Sequence, residues 1–269
     1  MTGRATRAGA LALMNIAGAA AFAWPFLLPG LIGRGQGHEV DAPLIFAGLL
    51  VCLGGLLFIE LGRTALGPKT VALIGVLGAA MVALRLPGFI GGFSAMFIVV
   101  LTAGSSFGPA FGFVLGAVGT FASGMFVGGI GPWLPFQMVA VGWVGLGAGL
   151  LPKGSWPVRV GSLAAYGAFA AFAFGAVMNL WFWPFAAASG PVAWSPGQGV
   201  ADNVGRYLTF YAATSFAWDA FGAAGNALIV AAAGRPLLAC LDRAARRMRL
   251  DARAYSPPQS VTMEAEPAG

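Results

Sequence analysis

Eight residues in the second half of the chain combine ring, amide, thioether, hydroxyl and carboxylate groups that could bind a small molecule. They are Trp133, Gln137, Met138, Asn179, Trp183, Tyr207, Tyr211 and Asp219. Flat rings give apolar contact to a ligand, while a few amides and hydroxyls orient its polar edges. These residue types therefore predict a substrate-binding site.

The same sequence lacks the residue combinations that catalysis needs. The single histidine, His38, has no HExxH-type or acid-rich motif around it, and the two cysteines form no CxxC pair. A buried serine such as Ser123 has no histidine or lysine within any apolar segment to activate it. No P-loop is present. We therefore predict a protein that is not an enzyme and that holds no metal or cofactor.

Composition indicates the environment in which this site must work. Hydrophobic residues make up 58% of the chain, charged residues 9%, and the mean hydropathy is +0.82. Such a chain could not cover a surface that faces water, so we predict a multi-pass protein of the cell membrane. The net charge of +6 then reflects the flanks of the membrane spans and not a nucleic-acid partner.

Eight apolar segments are long enough, or nearly long enough, to form membrane helices. They run over residues 9–32, 42–61, 70–86, 93–103, 109–127, 136–151, 160–185 and 207–234. The first follows Arg4 and Arg7 and also resembles a secretory signal that could be cleaved near Ala23. We favour an uncleaved helix, because the run is long enough to cross a bilayer of roughly 30 Å. Residues 93–103 are at the lower limit for spanning.

The positions of the cations predict the topology. If residue 1 is cytoplasmic and every segment crosses, twelve of the fifteen lysines and arginines lie inside, and only Arg34, Arg85 and Arg206 lie outside. Both termini are then cytoplasmic, and residues 235–269 form a basic flank and a disordered tail. The outer loops are 34–41, 87–92, 128–135 and 186–206; the last is either a lid or an idle connector.

Residues 128–149 present two of the candidate site residues. Glycines and prolines exclude a helix at 128–135, so this loop places Trp133 and Gln137 at the mouth of the apolar helix that follows. That helix carries Gly142, Gly145, Gly147 and Gly149, which predict close contact with neighbouring helices.

The last apolar segment carries a polar stripe. At about 100° per residue, one third of a helix surface would hold Tyr207, Tyr211, Ser215, Asp219, Gly222 and Asn226. Such a stripe is too costly to face lipid and must face the bundle interior. Both a structural role and a ligand or coupling role for Asp219 remain open. On the preceding helix, Asn179 and Trp183 share a face at i, i+4 spacing.

The third apolar segment carries small residues every four positions: Gly75, Ala79 and Ala83. This small-residue strip permits close approach of another helix. The other helix could belong to a partner protein or to this same chain.

Three runs in the sequence resemble the substrate-specific S components of energy-coupling factor vitamin transporters. They are GGIGPWLPFQMVAVGWVGLGAGLLP, YGAFAAFAFGAVMNLWFWPF and YLTFYAATSFAWDAFGAAGNALIVAAAGRPLL, and the resemblance covers about residues 70–249. It implies an all-α membrane bundle with a six-helix core at 70–234, preceded here by a two-helix extension at 1–69.

The resemblance also implies partners. An S component captures a vitamin-like molecule from outside and docks on a transmembrane coupling protein driven by two cytoplasmic ATPases. Ala79 and Ala83 would then face the coupling protein. The three runs resemble one subgroup of this family most. For that subgroup, cobalamin or a related corrinoid is the first substrate that we predict, and another vitamin is the alternative. The rival from another class is a self-sufficient, proton-coupled secondary transporter in which Asp219 carries the proton.

Overall fold

The computed structural model describes residues 2–27, 47–48, 51, 68–86, 92–186, 190–195 and 197–254, and every secondary-structure element in this part of the chain is a helix. The helices are α1 (Thr2–Leu27), α2 (Pro68–Arg85), α3 (Phe97–Phe107), α4 (Pro109–Ser123), α5 (Leu134–Leu150), α6 (Trp156–Ala186), α7 (Val200–Thr214) and α8 (Phe216–Ala254), with a π-helical turn at Gly124–Gly128. The predicted all-α class is therefore confirmed for these residues. The predicted span 42–61 lies almost wholly outside them, as do most of the loops 34–41 and 87–92 and the tail from 255.

Three helical stretches among the described residues are long and apolar enough to cross a membrane. They are Pro109–Gly128, Trp156–Pro184 and Phe216–Met248, and shorter apolar helices occupy Leu11–Ala23, Phe97–Phe107 and Leu134–Leu150. These helices are compatible with a membrane protein. The remaining predicted crossings would require the shorter helices to cross the membrane as well.

Helices α3 and α4 form a hairpin that turns on a single residue. Gly108 has a φ of 98°, a conformation that favours glycine, and its N–H donates to the carbonyl of Gly104. Helix α3 is only 11 residues long and buries ten of them, which at about 1.5 Å per residue is half a bilayer. The segment predicted at 93–103 is thus a central buried helix that begins at Phe97.

The hairpin packs against α5 with almost no side chain between the helices. A Cβ atom on Gly112 would overlap the carbonyl of Gly145, and one on Gly145 would overlap the carbonyl of Gly112. Gly147 leaves room for the Tyr166 ring of α6, and Gly149 meets the backbone of Pro109. The predicted close contact of the α5 glycines is confirmed, and it makes α3, α4 and α5 the core of the bundle.

The last predicted segment, 207–234, is not one helix. The helix breaks at Ser215, whose φ and ψ are −125° and −24°, so that α7 ends at Thr214 and α8 begins at Phe216. The polar stripe predicted on one helix face is therefore divided between two helices. At the other end, α8 continues past residue 234 to Ala254, so the predicted boundary at 235 is not a helix end.

Helix α1 packs on α5 and α6. Its Gly18 leaves room for Val139 and Trp143, and the Phe22 ring meets the Phe136 ring edge-on at 5.1 Å between centroids. Asn15 accepts a hydrogen bond of 2.6 Å from the Trp143 indole, a polar contact of the kind that joins helices inside an apolar bundle. The N-terminal extension thus includes a helix integrated with the bundle.

A buried ion pair joins α6 to α8 near the Gly108 turn. Arg159 donates to both carboxylate oxygens of Asp242, at 2.5 Å and 3.1 Å, and also to the hydroxyls of Ser105 and Ser106. The side chain of Arg159 is 8% exposed and that of Asp242 20%. Arg159 therefore joins the end of α3 and the beginning of α6 to the second half of α8, through one bidentate contact and two hydroxyl contacts.

Candidate functional site

The break at Ser215 determines where Asp219 lies. Because α8 begins at Phe216, Asp219 occupies the first turn of a helix, where the N–H groups and the helix dipole favour a negative charge. Tyr211, near the end of α7, donates a hydrogen bond of 2.7 Å to the Asp219 carboxylate. Gly175 of α6 leaves the space that the carboxylate fills, since a Cβ there would overlap it. Three helices therefore hold this acid.

A row of three aromatic rings leads from Asp219 to Trp183. The Tyr207 and Tyr211 rings stack with centroids 6.3 Å apart, and Trp183 meets Tyr207 edge-on at 5.4 Å. The Tyr207 hydroxyl donates to the Ala176 carbonyl of α6. The row lines the contact between α6 and α7, which agrees with the predicted inward direction of the two tyrosines.

Asn179 joins the same group through the helix break. It accepts a hydrogen bond of 3.0 Å from the Ser215 hydroxyl and donates one of 2.8 Å to the Gly175 carbonyl. We call Asn179, Trp183, Tyr207, Tyr211, Ser215 and Asp219 the polar cluster. Five of its members are candidates from the sequence, and Ser215 was predicted only as part of the stripe.

Residues 190–195 fold over Trp183 and form a cap. The Trp183 indole, which has no exposed surface, donates a hydrogen bond of 2.8 Å to the Val192 carbonyl. The Asn203 side chain accepts a hydrogen bond of 3.0 Å from the Ser195 backbone N–H and donates one of 2.9 Å to the Ser195 carbonyl. Arg206 donates to the carbonyl of Ala193 at 3.2 Å. The side chains of α7 therefore anchor this part of the predicted lid, and residues 200–206 belong to the helix itself.

Gln137 lies in a second polar group, on α5. Its side-chain carbonyl accepts from Arg85 at 3.4 Å, and the same guanidinium donates to the Ser123 hydroxyl at 2.7 Å. A Cβ on Gly128 would lie 2.8 Å from Arg85. We call Arg85, Ser123 and Gln137 the arginine cluster. Within the described residues, no hydrogen bond joins it to the polar cluster.

The other two candidates in or next to α5, Met138 and Trp133, pack against the apolar core. Met138 is 3% exposed and belongs to the same apolar group as Phe136 and Val139. Trp133 comes just before the first residue of α5 and packs half-buried against that group. Trp133 and Met138 therefore contribute to the apolar packing around α5 in this structure.

Helix α1 closes the polar cluster from a further side. The Phe26 ring stacks on Trp183, with centroids 6.0 Å apart and planes inclined by 22°. The N-terminal extension thus covers a predicted site residue.

The small-residue strip on α2 points away from the bundle. Gly75, Ala79 and Ala83 are all exposed, and a Cβ on Gly75 would meet nothing within 4 Å. Met81, on the opposite face, is fully buried. The described residues therefore leave the strip uncovered.

Sequence reasoning missed two residues that organise the site. Arg85 was assigned to the outer side of the membrane as a flanking cation, yet it is 5% exposed and binds residues of α4 and α5. Ser215 was assigned to a continuous helix. The feature of the sequence that could indicate a helix break here is the adjacent pair Thr214 and Ser215. Hydroxyl side chains can bond to nearby backbone carbonyls and so offer an alternative to helical hydrogen bonds.

The chemistry of the two clusters is recognition by hydrogen bonds and ring contacts. Among the described residues, no three His, Cys, Asp or Glu side chains gather as a metal site would require. Comparison of the chain with protein-family models, curated proteins and solved structures finds no match.

Proposed function

We propose that this chain is the substrate-capture subunit of an energy-coupling factor importer, taking a vitamin-like molecule from the outer side of the membrane. The observation that carries the proposal is the polar cluster. It gathers an amide, two phenols, an indole and a carboxylate where α6, α7 and α8 meet, beneath the 190–195 cap. Polar groups inside an apolar helical bundle are costly, so their concentration at one place indicates a use.

The cluster also has the arrangement that capture requires. Its amide and hydroxyl groups bond to one another and to the backbone, so a ligand can replace these bonds without leaving buried groups unpaired. Trp183 and the two tyrosines give flat apolar contact beside them. Entry of a ligand requires the cap or α1 to move, because both cover Trp183.

The exposed strip on α2 supports a partner. Gly75, Ala79 and Ala83 present a surface with little side chain, on which a helix of a coupling protein could pack closely. The sequence holds no P-loop, so two ATPase subunits must supply the energy through that coupling protein. The predicted topology, with both termini cytoplasmic, leaves the cap on the outer side, from which the substrate arrives.

Cobalamin or a related corrinoid is our first substrate, and another vitamin or vitamin precursor is the second. Because Trp183 has no exposed surface, a corrinoid would need a large displacement of the cap, while a smaller vitamin would need less. The substrate panel must therefore contain both kinds of molecule.

Binding by the isolated protein tests the proposal. The purified protein in detergent is titrated calorimetrically with cobalamin and with a panel of smaller vitamins, and we expect one of them to bind tightly. Asn179→Ala should weaken that binding about tenfold to a hundredfold, because a buried amide that pairs with a ligand contributes roughly 1 to 3 kcal/mol. Gln137→Ala tests the arginine cluster in the same way.

Asn15→Ala is the matched control, since that amide bonds Trp143 and a backbone carbonyl away from the polar cluster. It should leave the ligand affinity unchanged. Absence of binding by the wild-type protein, or unchanged affinity in both Asn179→Ala and Gln137→Ala, would contradict the proposal.

The second candidate is a proton-coupled secondary transporter, and the break at Ser215 favours it. Helices interrupted within the membrane often form transport sites, and the break here places Asp219 in the first turn of a new helix. The test is proton flux into liposomes that contain this protein alone. If such flux exists and Asp219→Asn abolishes it, the secondary transporter is the correct function.

A further inference from the structure

A basic cleft lies between the beginning of α2 and the last third of α8. It has a volume of about 550 Å³ and is lined by Lys69, Ala72, Leu73, Val76, Cys240, Arg243, Ala244, Arg247 and Met248. We call it the α2–α8 cleft. It combines three cations with apolar walls, and no acidic side chain is among the described residues that line it. It is separate from both clusters described above.

The position of the cleft corresponds to a membrane–water boundary. Lys69 is at the first turn of α2, and Arg243 follows Asp242, which bonds Arg159 in the first turn of α6. The cleft is thus level with the ends of helices that the topology predicts to be cytoplasmic. The candidate span Phe216–Met248 contains all the α8 residues of the cleft. Lipid headgroups occupy this level of a bilayer.

We propose that the α2–α8 cleft binds an anionic phospholipid. Arg243 and Arg247, at i, i+4 spacing on one face of α8, bind the phosphate through their planar guanidinium groups, and Lys69 adds a point charge from α2. Leu73 and Val76 of α2 contact the beginning of an acyl chain. A soluble anion would use only the cations, so the apolar wall is what favours a lipid.

This inference depends on membrane insertion and is independent of vitamin transport. A failure to bind any vitamin would leave it intact, and a failure to bind lipid would leave the polar cluster intact. The two proposals therefore stand or fall on different measurements.

Lipid retention by the purified full chain is the first test. The protein is incubated in detergent with equal amounts of phosphatidylglycerol and phosphatidylcholine of the same acyl chains, and bound lipids are counted by native mass spectrometry. We expect selective retention of phosphatidylglycerol. The double variant Arg243→Gln, Arg247→Gln should lose about tenfold to thirtyfold of that selectivity, since each cation near a lipid surface contributes about a factor of five.

Arg246→Gln is the matched control. Arg246 is exposed on the same helix turn, yet it does not line the cleft. It should keep the selectivity of the wild-type protein. Equal retention of the two lipids by wild type, or an equal loss in Arg246→Gln, would overturn the proposal.

Cys240 provides a second test that needs no charge variant. It lines the cleft and its side chain is exposed, so a bound lipid should shield it. In a Cys52→Ser protein, alkylation of Cys240 by a neutral maleimide should be several times slower in phosphatidylglycerol nanodiscs than in phosphatidylcholine nanodiscs. An equal rate in both would overturn the assignment.

Two other occupants are distinguished by competition. If inorganic phosphate displaces the lipid at comparable concentration, the apolar wall contributes nothing and the cleft is a simple anion site. If a synthetic peptide of residues 255–269, which contain Glu264 and Glu266, displaces the lipid equally well, the cleft binds the acidic C-terminal tail of this same chain. Either result would overturn the lipid assignment.

Discussion

The hydrogen bond between Tyr211 and Asp219 is the contact on which the polar cluster depends, and a double-mutant cycle can measure it. The two groups are 2.7 Å apart, and both residues are half-buried. Hydrogen bonds to charged groups contribute roughly 1.5 to 3 kcal/mol to stability. Because both residues are only half-buried, we expect the lower end of that range, about 1.5 kcal/mol.

The cycle compares Tyr211→Phe in the wild-type protein and in Asp219→Ala. Tyr211→Phe removes one hydroxyl, so it should lower the free energy of unfolding by about 1.5 kcal/mol when Asp219 is present, and by only a few tenths when it is absent. The assay is reversible unfolding of the purified protein in mixed detergent micelles, followed by far-UV circular dichroism.

Tyr166→Phe is the control, because the Tyr166 hydroxyl donates to the Val144 carbonyl at 3.1 Å and belongs to a different helix contact. Its cost should be the same in both backgrounds. If Tyr211→Phe also costs the same in both, the phenol and the carboxylate are not coupled, and the argument that three helices hold Asp219 through this bond fails.

Two further predictions concern the partner surface and the ion pair. Ala79→Trp should abolish co-purification with the coupling complex and leave ligand binding by the isolated protein unchanged, because the strip is exposed and lies on α2, which contributes no residue to the polar cluster. Leu228→Trp, at a site 69% exposed on α8, should preserve co-purification; loss of folding and ligand binding in Ala79→Trp alone would assign the strip to internal packing. Asp242→Asn should lower the free energy of unfolding by about 3 kcal/mol, since it leaves the Arg159 guanidinium buried beside a neutral group. Asp202→Asn, at an exposed site, should change it little, and equal effects of the two variants would show that the ion pair does not stabilise the bundle.

Local pattern was enough to predict the helices that are apolar over long runs. Residues 109–127 and 160–185 were predicted within a few residues of α4 and α6, because unbroken apolar sequence has one stable form in a membrane. The glycines of α5 predicted its close contact with neighbours, since their effect on packing does not depend on which helix approaches.

The features that the sequence did not reveal all depend on contacts between distant residues. The break at Ser215 falls in a run without glycine or proline, and it is held by the Asn179 side chain, 36 positions away. Burial of Arg85 requires Ser123 and Gln137 to approach from two other helices. The packing of Phe26 on Trp183 likewise joins the first described helix to the sixth, and periodicity contains no information about such pairs.

The buried hairpin of α3 and α4 also constrains the order in which the chain enters the membrane. Helix α3 buries ten of its 11 residues, including Thr102, Ser105 and Ser106, so in the folded bundle it presents almost no surface to lipid. Its length is about half of what a translocon needs to release an independent span. The Gly108 turn joins it directly to α4, which together with the π-helical turn that follows is long and apolar enough to be released. For the membrane protein that we propose, we therefore expect α3 to remain beside the translocon until α4 has been synthesised. The hairpin would then enter the bilayer as one unit, against which α5 packs.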